Sequence, residues 1–220
     1  MDYSGKALGV FISGDAAQRH VGFIIHEDEV EELIHLGWHK SLLNWSNATY
    51  IAKIGQFYPF DCTGLSDSEM EELCSFIKVL WRRHQVSVPY SIVSNGTDGF
   101  FNLDGSMPIK EAGLGLTCAT FIMSVYSVQG YPLIDEDQWQ ARAEDRRWHL
   151  DILDIQKRNG IEQHHIDAQA KFIGIAPRFR PEEVAGCAAS YDRKPYGFCN
   201  GIEAGERVLA KMRGAGFSLS

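Results

Sequence analysis

Short apolar runs separated by polar breaks occupy the first third of the chain, a pattern that predicts β-strands joined by turns. The run at 21–25 is continuous rather than alternating, so it predicts a strand buried on both faces. An acidic break separates it from the next run, and the span 20–39 therefore predicts a β-hairpin. The predicted strands are 8–13, 21–25, 32–39, a strand within 50–60, 86–93 and a short one at 172–176.

Apolar residues recur at helical spacing further along the chain. The clearest helix begins after Ser66, which forms a capping box with Glu69, and it continues to about Gln85. The segment 94–115 is rich in glycine and predicts a long mobile loop, a kind of loop that is usually functional or disordered. The other predicted helices are 116–129, 137–159 and 202–212. Strands followed by helices predict an α+β protein in which helices pack on an antiparallel sheet.

Composition narrows the class of protein. With 220 residues, of which 45% are hydrophobic and 23% charged, the chain resembles a soluble domain. A net charge of −8 argues against a nucleic-acid partner, and no apolar run approaches the roughly 18 residues that a membrane span needs. No secretion signal is visible, and the five cysteines contain no Cys-x-x-Cys pair. These features predict reduced thiols in a cytoplasmic protein.

Cys118 is the first candidate for chemistry. It follows a glycine-rich run and lies in the first turn of a predicted helix, where the helix end favours a thiolate. Phe121, Ile122 and Val125 share its face, so a buried core cysteine is the competing interpretation. The position in the first turn favours a nucleophile, because the preceding glycines leave room for a substrate.

Two histidines complete a possible site. His20 opens the buried strand at 21–25, and His35 lies on the strand predicted to pair with it. One imidazole is then positioned to act as a base and the other to orient it, although a structural histidine is the alternative at position 20. His39 is a second candidate for the orienting role. The pair His164–His165 with Asp167 has no second group of ligands at a fitting spacing, so we expect a surface turn and no metal site.

Four segments carry a family resemblance: His-Val-Gly-Phe-Ile-Ile at 20–25, Glu-Leu-Ile-His-Leu at 32–36, Pro-Tyr-Ser-Ile-Val-Ser-Asn at 89–95 and Leu-Thr-Cys-Ala-Thr-Phe-Ile at 116–122. Together they resemble the circularly permuted papain-like group, which includes the permuted NlpC-type peptidases and the lecithin–retinol acyltransferase-like enzymes. The resemblance covers about 18–128. It implies a single papain-like domain over 1–220, with a core at about 7–130 and a helical C-terminal extension at about 131–220.

The resemblance also implies roles for individual residues. Cys118 would be the nucleophile, His20 the base and His35 the orienting residue. Tyr90 and Thr117 are candidates for binding substrate or its oxyanion, Tyr90 because Tyr90-Ser91 resembles a pair that precedes the cysteine in the family. No cofactor is implied. The acyltransferases carry Asn-Cys-Glu-His-Phe where this chain has Thr-Cys-Ala-Thr-Phe, so the lipid-modifying branch is less favoured.

The predicted function is therefore a cysteine hydrolase or acyltransferase that attacks an amide, in a peptide or a peptidoglycan fragment, through a Cys-His-His site. A lipid acyl ester is the second choice of substrate, and 94–115 would serve as a lid or substrate-binding loop. Two alternatives stay open. One is a catalytically silent papain-like module that binds a partner through the same cleft, and the other is an interaction protein in which Cys118 is simply core.

Overall fold

A five-stranded antiparallel sheet forms the centre of the protein, and its strands lie side by side in the order 41–46, 30–38, 19–27, 8–14 and 57–61. The computed structural model describes residues 3–27, 30–94 and 96–219. Within these ranges the protein is α+β, as predicted. The strands are β1 (Leu8–Gly14), β2 (Arg19–Glu27), β3 (Val30–Trp38), β4 (Ser41–Ser46) and β5 (Phe57–Asp61).

Seven α-helices surround this sheet in the described part of the chain. They are α1 (Asn47–Lys53), α2 (Asp67–His84), α3 (Cys118–Val128), α4 (Asp145–Arg158), α5 (Gln163–Ala170), α6 (Pro181–Ala189) and α7 (Phe198–Gly214). None of the described helices is both long and apolar enough to cross a membrane.

The two faces of the sheet bury different side chains. Along β2, Val21, Phe23 and Ile25 belong to the main core, and the Phe23 ring lies 5.9 Å from the ring of Phe121 on α3. Ile24 belongs to a smaller cluster on the other face, which α1 completes with Tyr50. The alternation of a β-strand therefore makes β2 a central strand with both faces covered, as its continuous apolar run predicts.

The β2–β3 hairpin forms in the predicted place, with Phe23 opposite Ile34 and Glu27 opposite Val30. Its tip at 28–29 lies outside the described residues. The predicted helices after Ser66 and before Gln129 also form, and each begins with a capping box. Cys118 is the first residue of α3, because Thr117 is the N-cap.

Three predicted strands are wrong or misplaced. The strand expected within 50–60 is only β5, since the Ser46 side chain accepts a hydrogen bond from the Thr49 amide and begins α1. Residues 86–93 make only isolated bridges, at Tyr90 and Val93, to the segment before α3. Residues 172–176 form turns. A short apolar run forms a strand only where a neighbouring strand is available for pairing. The periodicity of the sequence does not show whether such a neighbour is present.

The second half of the chain is more helical than predicted. The helix expected from 137 begins at Asp145, the last helix begins at Phe198 rather than 202, and α5 and α6 were not predicted. Residues of α6 and α7 belong to the main core together with those of the sheet. The close packing of these two helices requires Gly186, where a Cβ would lie 2.5 Å from the Ala204 carbonyl oxygen.

The predicted loop at 94–115, whose Asn95 lies outside the described residues, also contributes to the core. The side chains of Phe100 and Phe101 are buried in the core. The chain that leads to Cys118 is therefore attached to the protein interior at these two rings.

Candidate functional site

His20 and His35 are hydrogen-bonded to each other across the β2–β3 hairpin, with His20 Nε2 2.9 Å from His35 Nδ1. Their rings meet edge to face, with centroids 4.9 Å apart. Strand alternation places both side chains on the α1 face, and the register of the hairpin brings them together. The two histidines that the sequence predicts as a pair therefore do form a pair.

Aromatic rings enclose His35. It meets Phe11, Trp45 and Tyr50 edge to face, at centroid distances of 5.8, 5.1 and 5.4 Å. Gly22 leaves the space for this arrangement, since a Cβ there would lie 2.5 Å from the Phe11 ring and 2.6 Å from His35 Cβ. The imidazole is thus fixed by packing as well as by its hydrogen bond.

Both imidazoles are held neutral. Burial lowers the pKa of His20 to about 4, and burial together with the charge of His20 lowers the pKa of His35 to about 3. A neutral imidazole carries one ring proton, so each has one donor and one acceptor nitrogen. If His20 Nε2 donates to His35 Nδ1, then His20 Nδ1 is an acceptor and has no hydrogen-bond partner among the described residues.

The same tautomer places a proton on His35 Nε2, which is buried and has no hydrogen-bond partner in the described structure. Its neighbours are aromatic, and an N–H group against an aromatic face is a weak but favourable contact. The surroundings of His35 therefore suit a histidine that orients His20 rather than one that accepts a proton.

The backbone amide of Val21 lies near enough to the Cys118 sulfur to favour the thiolate. Val21 directly follows His20, so the amide belongs to the peptide bond that joins these two residues. No hydrogen bond joins the thiol to His20 or His35, all three of which are described residues. The structure brings the cysteine to the beginning of the histidine strand. Cys118 belongs to the main core, however, whereas His20 and His35 lie against Phe11 on the α1 face, so the sulfur lies near the backbone of β2 rather than against an imidazole.

The expected low pKa of the thiol is wrong. Burial raises the pKa of Cys118 to about 11, against the opposing effects of the Val21, Ala119 and Cys118 amides and of the Arg178 charge. Cys118 is 6% exposed. The first turn of α3 does favour a thiolate, but the loss of water around the sulfur is the larger effect. At rest, the thiol and both imidazoles are neutral.

A small cavity of about 20 Å³ adjoins the sulfur. Its walls include Tyr90 and Thr117, the two tentative substrate-binding residues, and also Trp148, Arg178 and Phe179 from the C-terminal extension. This volume holds about one water molecule. The extension therefore covers Cys118, and a substrate reaches the sulfur only when this wall moves.

Thr117 has its polar groups engaged in the helix cap. Its hydroxyl accepts from the Thr120 amide, and its own amide donates to the Thr120 hydroxyl at 2.7 Å. The Cys118 and Ala119 amides that follow lie in the first turn, where N–H groups have no partner within the helix. These two amides, rather than Thr117 itself, are the donors available near the sulfur.

Three side chains hold the backbone of Tyr90. Its amide donates to His39 Nδ1 at 3.3 Å, and its carbonyl accepts from His165 Nε2 at 3.0 Å and from Gln156 Nε2 at 3.3 Å. His39 therefore fixes the backbone of Tyr90 and makes no hydrogen bond to His20 or His35, so its candidacy as the orienting residue is wrong. His165 lies buried on α5, not in the expected surface turn, because Tyr90 and the Gly113 amide bind its two nitrogens.

Several residues of the site were not predicted. Tyr50 contacts His35 and bonds Ser13 at 2.6 Å, but it was assigned to a strand. Trp148 and Arg178 come from the C-terminal part of the chain, beyond α3. No local signal marks them, because they reach the site only through the packing of α4 and of the segment before α6.

The described residues contain no group of three or more His, Cys, Asp and Glu side chains arranged to hold a metal ion. Comparison of the chain with protein-family models, with curated proteins and with solved structures gives no match.

Proposed function

We propose that the protein is a circularly permuted papain-like cysteine hydrolase or acyltransferase that attacks an amide in a peptide or peptidoglycan fragment. One observation carries the proposal: His20 is hydrogen-bonded to His35, and the Cys118 sulfur lies near the Val21 amide, which directly follows His20. A nucleophile, a base and a residue that orients the base are the three groups that such chemistry requires. They lie at the end of a sheet and the beginning of a helix.

The first step follows from the neutral resting state. As the sulfur attacks the carbonyl carbon, the thiol proton passes through one bridging water molecule to His20 Nδ1, because no direct hydrogen bond joins the two groups at rest, while His20 Nε2–H remains bonded to His35. Transfer during attack suits a thiol whose pKa lies far above that of the imidazole, because no stable thiolate–imidazolium pair is needed beforehand. The charged imidazole then gives its proton to the leaving amine.

The oxyanion that forms needs donors that are already in place. The amides of Cys118 and Ala119 meet this need, and the dipole of α3 adds to their effect. Water or an acceptor nucleophile then releases the acyl group from the sulfur. Amides are favoured over lipid esters because Ala119 and Thr120 replace the Glu-His of the acyltransferase motif.

The proposal is tested with p-nitrophenyl acetate, a small activated ester that can acylate a thiol. We expect release of p-nitrophenolate and an acetyl group on Cys118, located by peptide mass mapping. Cys118→Ala should abolish this acetylation, and His20→Asn should slow it by about 10²- to 10⁴-fold. His35→Asn should cost less, since His35 acts through His20. Cys199→Ala removes an exposed thiol outside the site and is the matched control.

Acetylation confined to Cys199, or acetylation of Cys118 that is unchanged by His20→Asn, would contradict the proposal. In either case the thiol would react without help from the histidine pair.

A second candidate function, a catalytically silent papain-like binding module, is favoured by two observations. The cavity beside Cys118 is only about 20 Å³, and burial keeps the thiol protonated. A silent module predicts no acetylation of Cys118 even when the wall of the cavity is opened by Trp148→Ala. Acetylation in that variant would favour the enzyme.

A further inference from the structure

Two arginines line the cavity beside Cys118, and no carboxylate does. Arg19 is the first residue of β2 and precedes His20, while Arg178 comes from the segment between α5 and α6. In a net acidic protein, two guanidinium groups without a carboxylate on the same small surface form a local positive site.

Arg178 makes no close ion pair, although the charges of Asp145 and Glu182 both act on it. The nearest carboxylate, that of Asp145, lies 4.0 Å from its terminal nitrogen, and the same oxygen of Asp145 already accepts from Arg180 at 3.1 Å. The Arg178 Nε is buried and has no hydrogen-bond partner among the described residues. A buried donor without a partner costs free energy, which an incoming acceptor would recover.

The position of Arg178 is nevertheless well determined. Its guanidinium carbon lies 4.3 Å from the centre of the Trp148 ring, and its carbonyl accepts a hydrogen bond from Trp139 Nε1 at 3.2 Å. The side chain keeps 19% of its exposure, so a ligand in solvent can contact it. Its charge also acts on Cys118 and Tyr90, which places it within electrostatic range of both.

Arg19 adds a second, more fully compensated charge. Its terminal nitrogen donates to Glu182 at 2.9 Å, but its Nε is buried without a partner in the described structure. Arg19 therefore supports a positive field at the cavity. The Nε of each arginine lacks a partner in the described structure, but Arg178 also lacks a close ion pair, so it is the better placed of the two to bind a ligand.

We propose that Arg178 binds a carboxylate of the substrate, so that the amide attacked by Cys118 is one that lies next to a free carboxylate. A guanidinium group binds a carboxylate through two parallel hydrogen bonds, which fixes orientation as well as charge. This inference rests on the proposed function and names a feature of its substrate. It gives the C-terminal extension a role in substrate selection, in addition to covering the thiol of Cys118.

The test compares two alkylating agents of similar size, the anion iodoacetate and the neutral iodoacetamide. In each reaction the sulfur bonds to the methylene carbon, the carbon–iodine bond breaks, iodide leaves with its electron pair, and the thiol proton passes to solvent. The ratio of the two rates at one thiol cancels the thiol pKa and reports the preference for a negative charge. Exposed Cys199 provides a reference ratio in the same sample.

We expect the ratio of iodoacetate to iodoacetamide rates at Cys118 to exceed the ratio at Cys199 by about tenfold, the size of a charged hydrogen bond. Arg178→Gln should remove this excess, and Arg178→Lys should retain part of it, because lysine keeps the charge without the fork. Arg158→Gln, at an exposed arginine of α4 paired with Asp154, is the matched control and should leave the ratio unchanged.

Equal iodoacetate-to-iodoacetamide ratios at Cys118 and Cys199 in the unmodified protein would overturn the inference. A higher ratio at Cys118 that persists in a folded Arg178→Gln variant would also overturn it. So would a higher ratio that is lost in both Arg178→Lys and the control Arg158→Gln. The outcome is independent of the acetylation test, whose ester is uncharged. An anion preference without acetylation would defeat the proposed function alone, and acetylation without an anion preference would defeat the role of Arg178 alone.

Discussion

The guanidinium carbon of Arg178 lies 4.3 Å from the centre of the Trp148 ring, and both side chains line the cavity that adjoins Cys118. Trp148 belongs to α4 and Arg178 to the segment before α6, so the contact is made entirely within the C-terminal extension. Residues from the C-terminal part of the chain thus form part of the wall over the predicted nucleophile. The C-terminal extension therefore helps to control access to the thiol.

Trp148→Ala should expose Cys118. Removal of the indole enlarges the cavity of about 20 Å³ and withdraws the support of Arg178, so alkylation of Cys118 by iodoacetamide should become several-fold faster. The loss of apolar contact should lower the free energy of unfolding by about 1–2 kcal/mol. Peptide mapping of the alkylated cysteines measures the rate, and urea unfolding measures the stability. Leu150→Ala, at a more exposed position of the same helix, should leave the rate unchanged.

The reactivity of Cys118 should rise with pH well beyond neutrality. Its pKa of about 11 means that the thiolate is a minor species near neutral pH, and its fraction grows about tenfold for each pH unit below the pKa. Alkylation by iodoacetamide should therefore be slower at Cys118 than at exposed Cys199 in neutral buffer, and its rate should not level off up to about pH 9. A rate that is constant above neutral pH would instead reveal an activated thiolate.

The histidine pair should make the protein less stable in mild acid. The pKa of His20 falls from 6.5 to about 4 on folding, and that of His35 from 6.5 to about 3. As the pH is lowered, the unfolded chain binds protons before the folded protein does. The two histidines therefore leave the free energy of unfolding unchanged above about pH 6.5 and lower it as the pH falls toward 4. The loss is up to about 1.4 kcal/mol for each unit of pKa shift.

Urea unfolding at a series of pH values measures this effect. His35→Asn removes one buried neutral imidazole. The free energy of unfolding should therefore fall less steeply as the pH is lowered from 6.5 to about 3, the unfolded and folded pKa values of His35. His84→Asn, at a histidine of α2 outside the pair, is the control and should keep the slope of the unmodified protein. An unchanged slope in His35→Asn would show that other groups cause the acid sensitivity.

Gly22→Ala should disrupt the site without touching a chemical group. The new methyl group would lie 2.5 Å from the Phe11 ring and 2.6 Å from His35 Cβ, so either the ring or the imidazole must move. We expect a loss of about 1–3 kcal/mol in the free energy of unfolding and slower acetylation of Cys118. Gly214→Ala, where no atom lies within 4 Å of the added methyl, is the control and should retain both properties. Full acetylation of Cys118 in a destabilised Gly22→Ala variant would show that the position of His35 does not affect the reaction.

Much of the fold near the histidines could be predicted because its causes are local. A continuous apolar run predicts a buried strand, and a capping box predicts where a helix begins, as at Ser66. At 50–60 the strand is confirmed only at its end, as β5, because the cap at Ser46 begins α1, and at 172–176 the prediction is wrong, since no strand is available as a partner in the described structure. Pairing is a long-range property, so an apolar run alone does not establish it.

The sequence by itself determined that Cys118 begins a helix and that His20 and His35 lie on paired strands, because capping, alternation and hairpin register depend on neighbouring residues. Only the tertiary structure decided the state of the thiol, since burial under α4 and the segment before α6 outweighs the effect of the helix end on its pKa. The same long-range packing gave His39 and His165 their contacts with Tyr90 and brought Arg178 to the cavity. Burial and charge at a site are sums over the whole fold, and no single stretch of the chain contains them.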